Sequence, residues 1–440
     1  MPSSPRLSDI RFTLEKQGQG HLLAHWDELD DGRRTRLLQD IERIDFRTLD
    51  KLIASHLRAI EPTPLPSVIE PVFVYPVDPG IDLVGKYADS VKRGVSFIRQ
   101  NKVAVLMLPA DPEPIPGRDG PVATLSISPV RKKSSFQLFA EYIQGTNRRY
   151  GADLTWYIMT NPINDAVTRS FFNEHNHFGM PPDSTQFVVQ GVVPACSPDG
   201  KVLLADKHQI ALMPDGDGGS LAALRRAGLL QEMADAGVEQ ISCFPANNPL
   251  AKPIDPLFVG LHVLTNAKIS SKAVAESDDL EPVVNIGSYM LARSFVEDLT
   301  ADESSVSLPW HHRIEPVSCV DENGVRVDPT QPNAVRFRRR LSDAIPQAAK
   351  NLILQTSRAG EFSPVTHADG PHSLHSARCG LNRRAADWLH RAGFDVPNES
   401  SGEPAGQFEI SPLLALDGTH LREVMIEIPT ITVGKDHYWG

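Results

Sequence analysis

Apolar residues recur at helical spacing near the start of the chain. Leu22, Leu23, Trp26 and Leu29 fall at i, i+1, i+4 and i+7; Leu37, Leu38, Ile41 and Ile44 repeat that spacing, and Phe46, Leu49, Leu52 and Ile53 continue an apolar face. Asp30, Asp31 and Gly32 punctuate the first two stripes. The pattern predicts a small helical hairpin over 8–57. Pro62, Pro64, Pro66, Pro71, Pro76 and Pro79 follow. Prolines at that density fix φ and remove backbone donors, so this stretch reads as an extended connector.

From Gly94 the pattern changes to short apolar runs alternating with amphipathic stretches. Runs at 103–108, 154–159, 185–189 and 240–244 read as buried strands. Stretches at 134–142, 165–175 and 221–236 read as helices. Such alternation predicts an α/β fold with a doubly wound, mainly parallel sheet, whose ligands bind outside the carboxyl ends of the strands. The 103–108 run, apolar throughout, is expected to be a central strand. Further on, 336–357 reads as helical, and a strand is expected at 423–428. The expected organisation is an N-terminal helical section with the connector (1–93), a central α/β domain (94–335) and a C-terminal α+β portion (336–440).

Charge narrows the function classes. The 440 residues carry a formal net charge of −11 with no basic block, which argues against nucleic-acid or anionic-membrane partners. Cys196, Cys243, Cys319 and Cys379 are widely spaced with no CxxC pair, so neither a zinc ribbon nor a disulfide framework is expected. With no signal-like N-terminus and no apolar run of membrane-spanning length, the chain reads as cytoplasmic.

Several segments, in order, resemble the eukaryotic-type UDP-N-acetylglucosamine (UDP-N-acetylhexosamine) pyrophosphorylases. Thr13-Leu14-Glu15-Lys16-x-Gly18-Gln19-x-His21-Leu22-Leu23 is similar to that family's opening helix. The runs from Gln100 to Leu106 and from Trp156 to Thr160 resemble two of its strands. Gln190-Gly191-Val192-Val193-Pro194-Ala195 and Pro214-Asp215-Gly216-Asp217-Gly218-Gly219 resemble its uridine-side loops. Glu361-Phe362-Ser363-Pro364 and Phe408-Glu409-Ile410-Ser411-Pro412-Leu413 fit its C-terminal part. The resemblance implies a nucleotidyltransferase-type central domain. It also implies the family's reaction, in which a sugar-1-phosphate oxygen attacks the α-phosphate of UTP and pyrophosphate leaves. That chemistry needs negative charge held by a glycine-rich nest of N–H groups, by lysine or arginine, and by Mg²⁺ on a carboxylate.

The groups that the resemblance assigns to that task are largely replaced. Where the family has a glycine-rich Gly-Thr-Arg-Leu-Gly loop, this chain reads Pro109-Ala110-Asp111-Pro112-Glu113-Pro114-Ile115-Pro116-Gly117. Prolines donate no N–H, Asp111 and Glu113 repel a triphosphate, and Ile115 stands at the arginine position. Pro121-Val122-Ala123 replaces a Pro-Lys-Gly turn, and Val365-Thr366 follows Ser363-Pro364 where the family has a lysine. Asn247 stands at the metal-binding carboxylate position; an amide oxygen is a poorer Mg²⁺ ligand, so no metal or other cofactor is expected.

The uridine side is retained. Gln190, Gly191, Pro214, Asp215, Gly216 and Gly218 are the expected base contacts, and Asn285 and Gly287 resemble an Asn-Ala-Gly motif near the family's sugar site. The basic run Arg131-Lys132-Lys133 reads as a solvated loop, with replacement phosphate contacts as the alternative. His367, His372, His375 and Cys379 fit no standard zinc spacing and read as a polar loop. The expected function is therefore a family member that retains a uridine or UDP-sugar pocket but transfers uridylyl groups poorly or not at all. An active uridylyltransferase with relocated phosphate ligands, and a structural or partner subunit that binds no nucleotide, are the alternatives. The protein partner, if there is one, is left unknown.

Overall fold

A computed structural model describes residues 5–58, 73–109, 120–277, 280–302, 306–425 and 431–440, with side chains at 5–6, 58 and 276–283 left undescribed. The chain forms two compact units from interleaved segments. One holds Met1–Ile69, Gln190–Ala222 and Val306–Asp343; the other holds Glu70–Val189, Ala223–Ser305 and Ala344–Gly440. Residues 59–72, most of the proline connector, and 110–119, the segment in place of the glycine-rich loop, lie outside the described residues.

The larger unit is built on an eight-stranded sheet. Its strands run, in spatial order, Val74–Tyr75, Asn351–Gln355, Ile269–Ser277, Leu280–Ala292, Gln240–Pro245, Val103–Leu108, Trp156–Thr160 and Thr185–Val189. Only Leu280–Ala292 runs antiparallel to its neighbours; every other pairing is parallel. Val103–Leu108 lies inside the sheet with all its residues buried, in register Val103↔Gln240 on one side and Val105↔Trp156 on the other. A continuous apolar run is what a strand covered on both faces requires. The α/β, mainly parallel architecture is as the strand–helix alternation predicts.

The helices Ile81–Arg99 and Pro256–Leu264 pack together through two glycines. A Cβ at Gly94 would meet the Pro256 carbonyl oxygen at 1.8 Å, and one at Gly260 would meet the Ser90 carbonyl oxygen at 1.7 Å. Each glycine thus sits against the other helix's backbone, which cannot yield as a side chain can. Replacing either by alanine should force the helices apart and cost about 1–3 kcal/mol, measured as a lowered urea midpoint. An unshifted midpoint for Gly94→Ala would contradict this packing.

The smaller unit gathers the N-terminal helices Pro5–Lys16, Asp31–Glu42 and Phe46–Ile53. Asp30 and Asp45 cap the second and third by accepting from Arg33 N at 2.8 Å and Thr48 N at 3.1 Å. Their apolar stripes close over Cys196, Val202, Leu204, Ile210, Leu212, Val335 and Phe337. Gln19 ties them down: its amide donates to Gly200 O and accepts from Val202 N, both at 2.9 Å.

Three local expectations need correction. The segment 336–357 is not a helix; it comprises the strand Ala334–Arg339, a 3₁₀ segment Leu341–Gln347 and the strand Asn351–Gln355. Leu352 and Leu354 are buried in alternation, a period of two, while Ala334–Arg339 is buried at nearly every position, its arginines included. The helix expected at 221–236 is two, Gly219–Arg226 and Leu229–Asp235, divided at Gly228 with φ +74°. Glu423 and Val424 end the helix Gly418–Val424 instead of starting a strand, and 426–430 lie outside the described residues. The C-terminal strands are Gln407–Ile410 and Asp436–Trp439, paired in parallel.

Candidate functional site

In the larger unit, the parallel strands bring their carboxyl ends together where Leu108 pairs with Pro245, and Ala246 N donates to Leu108 O at 3.1 Å. Asn247 follows directly, and its carbonyl accepts from Val365 N at 2.8 Å. Gly287 packs on the ring of Pro245, φ +77°, with its N–H donating to Asn285 Oδ1 at 2.8 Å. The register with Ile269–Ser277 jumps there, so Asn285-Ile286-Gly287-Ser288 bulges from its strand. The fold thus gathers Asn247, Asn285, Gly287 and the Ser363–Val365 turn at one end of the sheet, where α/β ligand sites lie.

Asn248, fully buried, staples that end together. Its Nδ2 donates to Glu361 O at 2.7 Å and its Oδ1 accepts from Ser363 N at 3.1 Å and Leu250 N at 3.3 Å. Beneath it sits a buried ion cluster that the sequence reading missed. Lys272 Nζ lies 2.6 Å from Asp255 Oδ2 and 2.7 Å from Glu361 Oε2; Lys252 Nζ and Thr356 Oγ1 reach Glu361 Oε1 at 2.9 and 2.7 Å. Burial opposes the Glu361 charge, yet Lys252 and Lys272 outweigh it and hold the carboxyl well below the usual carboxylate range. Burial also opposes the Lys252 charge, but Glu361 and Asp255 leave the ammonium above the ordinary lysine range.

These residues do not fit the Mg²⁺ that the fold family implies. Asn247 offers an amide, Asn248 has both side-chain atoms engaged, and both Glu361 oxygens are committed to cations or a hydroxyl. Among the described residues no group of three or more His, Cys, Asp or Glu side chains is arranged to hold a metal.

The basic run is the expected solvated loop at Arg131 and Lys132, which are exposed, but not at Lys133. Lys133 is buried and pairs with Glu141 Oε2 at 2.7 Å and Tyr438 OH at 3.1 Å, while the Arg131 guanidinium stacks 4.4 Å from the Tyr438 ring. His375 and Cys379 lie one helical turn apart, 3.7 Å between Nε2 and Sγ.

The other predicted residues meet in the smaller unit. Asp215 N donates to Gly191 O at 3.2 Å, and Pro214 pairs with Val192. Gln190, 2% exposed, donates from Nε2 to Asp215 Oδ1 at 2.9 Å and to Gly216 O at 3.2 Å. Its Oε1 is buried with no hydrogen-bond partner among the described residues. The loop is fused to the strand end at 339–341: Arg339 N donates to Asp215 O at 2.8 Å, Gly218 N to Arg339 O at 3.2 Å, and Leu341 N to Asp217 Oδ1 at 3.1 Å. Gly216, φ +89°, approaches so closely that a Cβ would stand 2.2 Å from Arg339 O. The glycines therefore have a packing reason of their own. Arg339, whose guanidinium stacks 4.0 Å from the Trp310 ring, is a neighbour that the helical reading of 336–357 concealed.

A mainly parallel sheet with its polar turns at the carboxyl ends, and a glycine-rich loop held on an antiparallel strand, define a nucleotidyltransferase-type α/β protein. Comparison with known proteins specifies it further. Residues 86–276 match the family model of UTP–glucose-1-phosphate uridylyltransferase. The chain is 28% identical to human UDP-N-acetylhexosamine pyrophosphorylase-like protein 1, over 94% of both chains. It is 26% identical to Arabidopsis thaliana UDP-N-acetylglucosamine diphosphorylase 1, over 96% of this chain and 92% of that one. The solved uridine diphosphate N-acetylglucosamine pyrophosphorylase of Trypanosoma brucei superposes with a TM-score of 0.75 at 20% identity, over 96% of this chain and 95% of that one, a likeness of fold. Over most of its length the chain is thus similar to UDP-sugar pyrophosphorylases.

Proposed function

We propose that this family member binds a uridine nucleotide sugar and transfers uridylyl groups poorly or not at all, in the cytoplasm. The observation that carries the reading is the carboxyl end of the sheet. There the charged groups expected for phosphate and metal are an amide (Asn247) and two neutral side chains (Val365, Thr366), and the buried carboxylate of Glu361, whose backbone Asn248 holds, is locked to two lysines. The Gln190–Asp215–Gly216 arrangement supports the binding half, with a buried amide oxygen available to a base N–H. Asn285 and Gly287 remain the proposed sugar-side contacts. No described helix is long and apolar enough to cross a membrane.

Ligand preference tests this reading. Base recognition needs backbone and amide groups, which are present; triphosphate recognition needs cations and N–H nests. Each lost charge-assisted contact is worth about 1.5–3 kcal/mol, so UTP should bind at least about tenfold more weakly than UDP-N-acetylglucosamine or UDP-glucose. Mg²⁺ should change neither affinity much. Calorimetric titration of the three ligands reads this directly. Tight, Mg²⁺-dependent UTP binding would refute it, and no binding of any uridine ligand would favour a structural subunit.

A second reading, an active uridylyltransferase with relocated phosphate ligands, draws on the pyrophosphorylase names of near-full-length relatives such as that of Saccharomyces cerevisiae, 25% identical over 89% of this chain. Lys133 is a poor candidate for such a ligand, being buried against Glu141.

A further inference from the structure

The sheet's other end carries a second cleft. It has a volume of about 590 Å³ and lies within the larger unit, where Gln240 opens its strand and pairs with Ala292. The length of the Gln240–Pro245 strand separates it from Asn247 and the carboxyl-end turns. Arg93 and Phe97 come from the helix Ile81–Arg99, His262 from the helix Pro256–Leu264, and Ala267 and Lys268 from the turn that follows. The Gly94 and Gly260 contacts fix those helices against each other, so this wall is rigid.

Two polar atoms at the cleft are buried without a hydrogen-bond partner among the described residues: His262 Nε2 and Gln240 Oε1. His262 is 1% exposed and its ring is bonded on the other side, Nδ1 to Ser270 Oγ at 2.6 Å. Burial pushes the imidazole down to about 3, so the ring is neutral and Nε2 offers a single hydrogen bond. Buried polar atoms are ordinarily satisfied by protein, water or ligand, and a pair lining one cleft offers a ligand two ready hydrogen-bonding positions. The charge around them is positive. Neither Arg93 nor Lys268 forms an ion pair among the described residues, and Arg93 stacks 4.6 Å from the Phe97 ring. Glu239, the carboxylate of the lining, is held by Lys102 Nζ at 2.6 Å. On a chain of net charge −11 this is a local cationic site.

We infer that this cleft is a second ligand site for a small metabolite with an oxyanion head, the head on Arg93 and Lys268 and the polar body against His262 and Gln240. A volume in the range of ordinary small-molecule pockets accommodates such a ligand. The site is independent of the carboxyl-end reading, since none of its residues belongs to that end.

The test is calorimetry on the full chain at low ionic strength, with inorganic phosphate and malonate titrated separately to distinguish a phosphate from a carboxylate head. At least one anion should bind saturably at one equivalent. The variant Arg93→Gln/Lys268→Gln should weaken it by about tenfold or more, the equivalent of one charge-assisted hydrogen bond. Lys92→Gln/Arg99→Gln removes the same charge from the same helix outside the cleft and should leave the affinity unchanged. Absence of saturable binding for both anions, or equal loss in the two variants, overturns the proposal.

Discussion

Replacing Glu361 by glutamine is expected to destabilise the protein by about 3–5 kcal/mol, the usual consequence of removing one partner from a buried ion cluster. Glu361 accepts from Lys252, Lys272 and Thr356, so its neutralisation leaves two ammonium groups facing one remaining carboxylate, Asp255. Lys252→Met should cost less, because it removes one cation and leaves Lys272 still paired with Asp255. The pH dependence has a defined sign. The folded-state pKa of Glu361 is depressed, so its contribution is complete above the unfolded value of about 4.3 and is lost as pH falls below it. Lys252 is raised, so its contribution is complete below about 10.4 and is lost as pH rises further. Stability from this cluster is therefore flat between those limits, and Glu361→Gln should flatten the acid side. Denaturant midpoints measured across pH check both statements. A Glu361→Gln variant within about 0.5 kcal/mol of the parent, the range of an ordinary surface change, with an unaltered acid limb, would sink the account of the cluster.

The largest expected effect concerns catalysis. Removing one preorganised charge-stabilising donor typically costs about 2.7–4 kcal/mol of barrier. On the family resemblance, the positions of a glycine-rich loop, its arginine, two lysines and a metal carboxylate hold other residues here. Such groups act as a unit and their costs do not simply add. A net loss of about 6–8 kcal/mol nonetheless corresponds to turnover roughly 10⁴–10⁶-fold slower. The carboxyl-end geometry supports this expectation in a way that counting residues does not. A substitute for the carboxylate missing at Asn247 would have to come from a neighbouring side chain. Glu361, the buried carboxylate whose backbone Asn248 holds, has both oxygens occupied, and freeing them would uncover two buried lysines.

Which parts of this were legible in the sequence follows from physical scale. Strands covered on both faces, such as Val103–Leu108 and Trp156–Thr160, are continuous apolar runs and declare themselves. The strand Ala334–Arg339 does not, because half of its six residues are arginines, Arg336, Arg338 and Arg339, and two of these are nonetheless buried. Misreading it concealed Arg339, and with it the reason that Gly216 must be glycine. Family resemblance drew attention to Gln190 and Asp215, but their hydrogen bond spans 25 residues and no local pattern encodes it. The pairing of Lys272 with Glu361, 89 residues apart, had no signal at all: each reads alone as an ordinary surface charge. The helices that carry Gly94 and Gly260 were not among those expected, and only their crossing explains the two glycines.

The most direct test of the central claim is a pyrophosphate-release assay on the full chain, with UTP and Mg²⁺ and either N-acetylglucosamine-1-phosphate or glucose-1-phosphate. The account predicts no release above background, or turnover at least about 10⁴-fold below a typical enzyme's ~10 s⁻¹. Turnover near ~10 s⁻¹ with either sugar phosphate would contradict it and establish a working uridylyltransferase with relocated phosphate ligands.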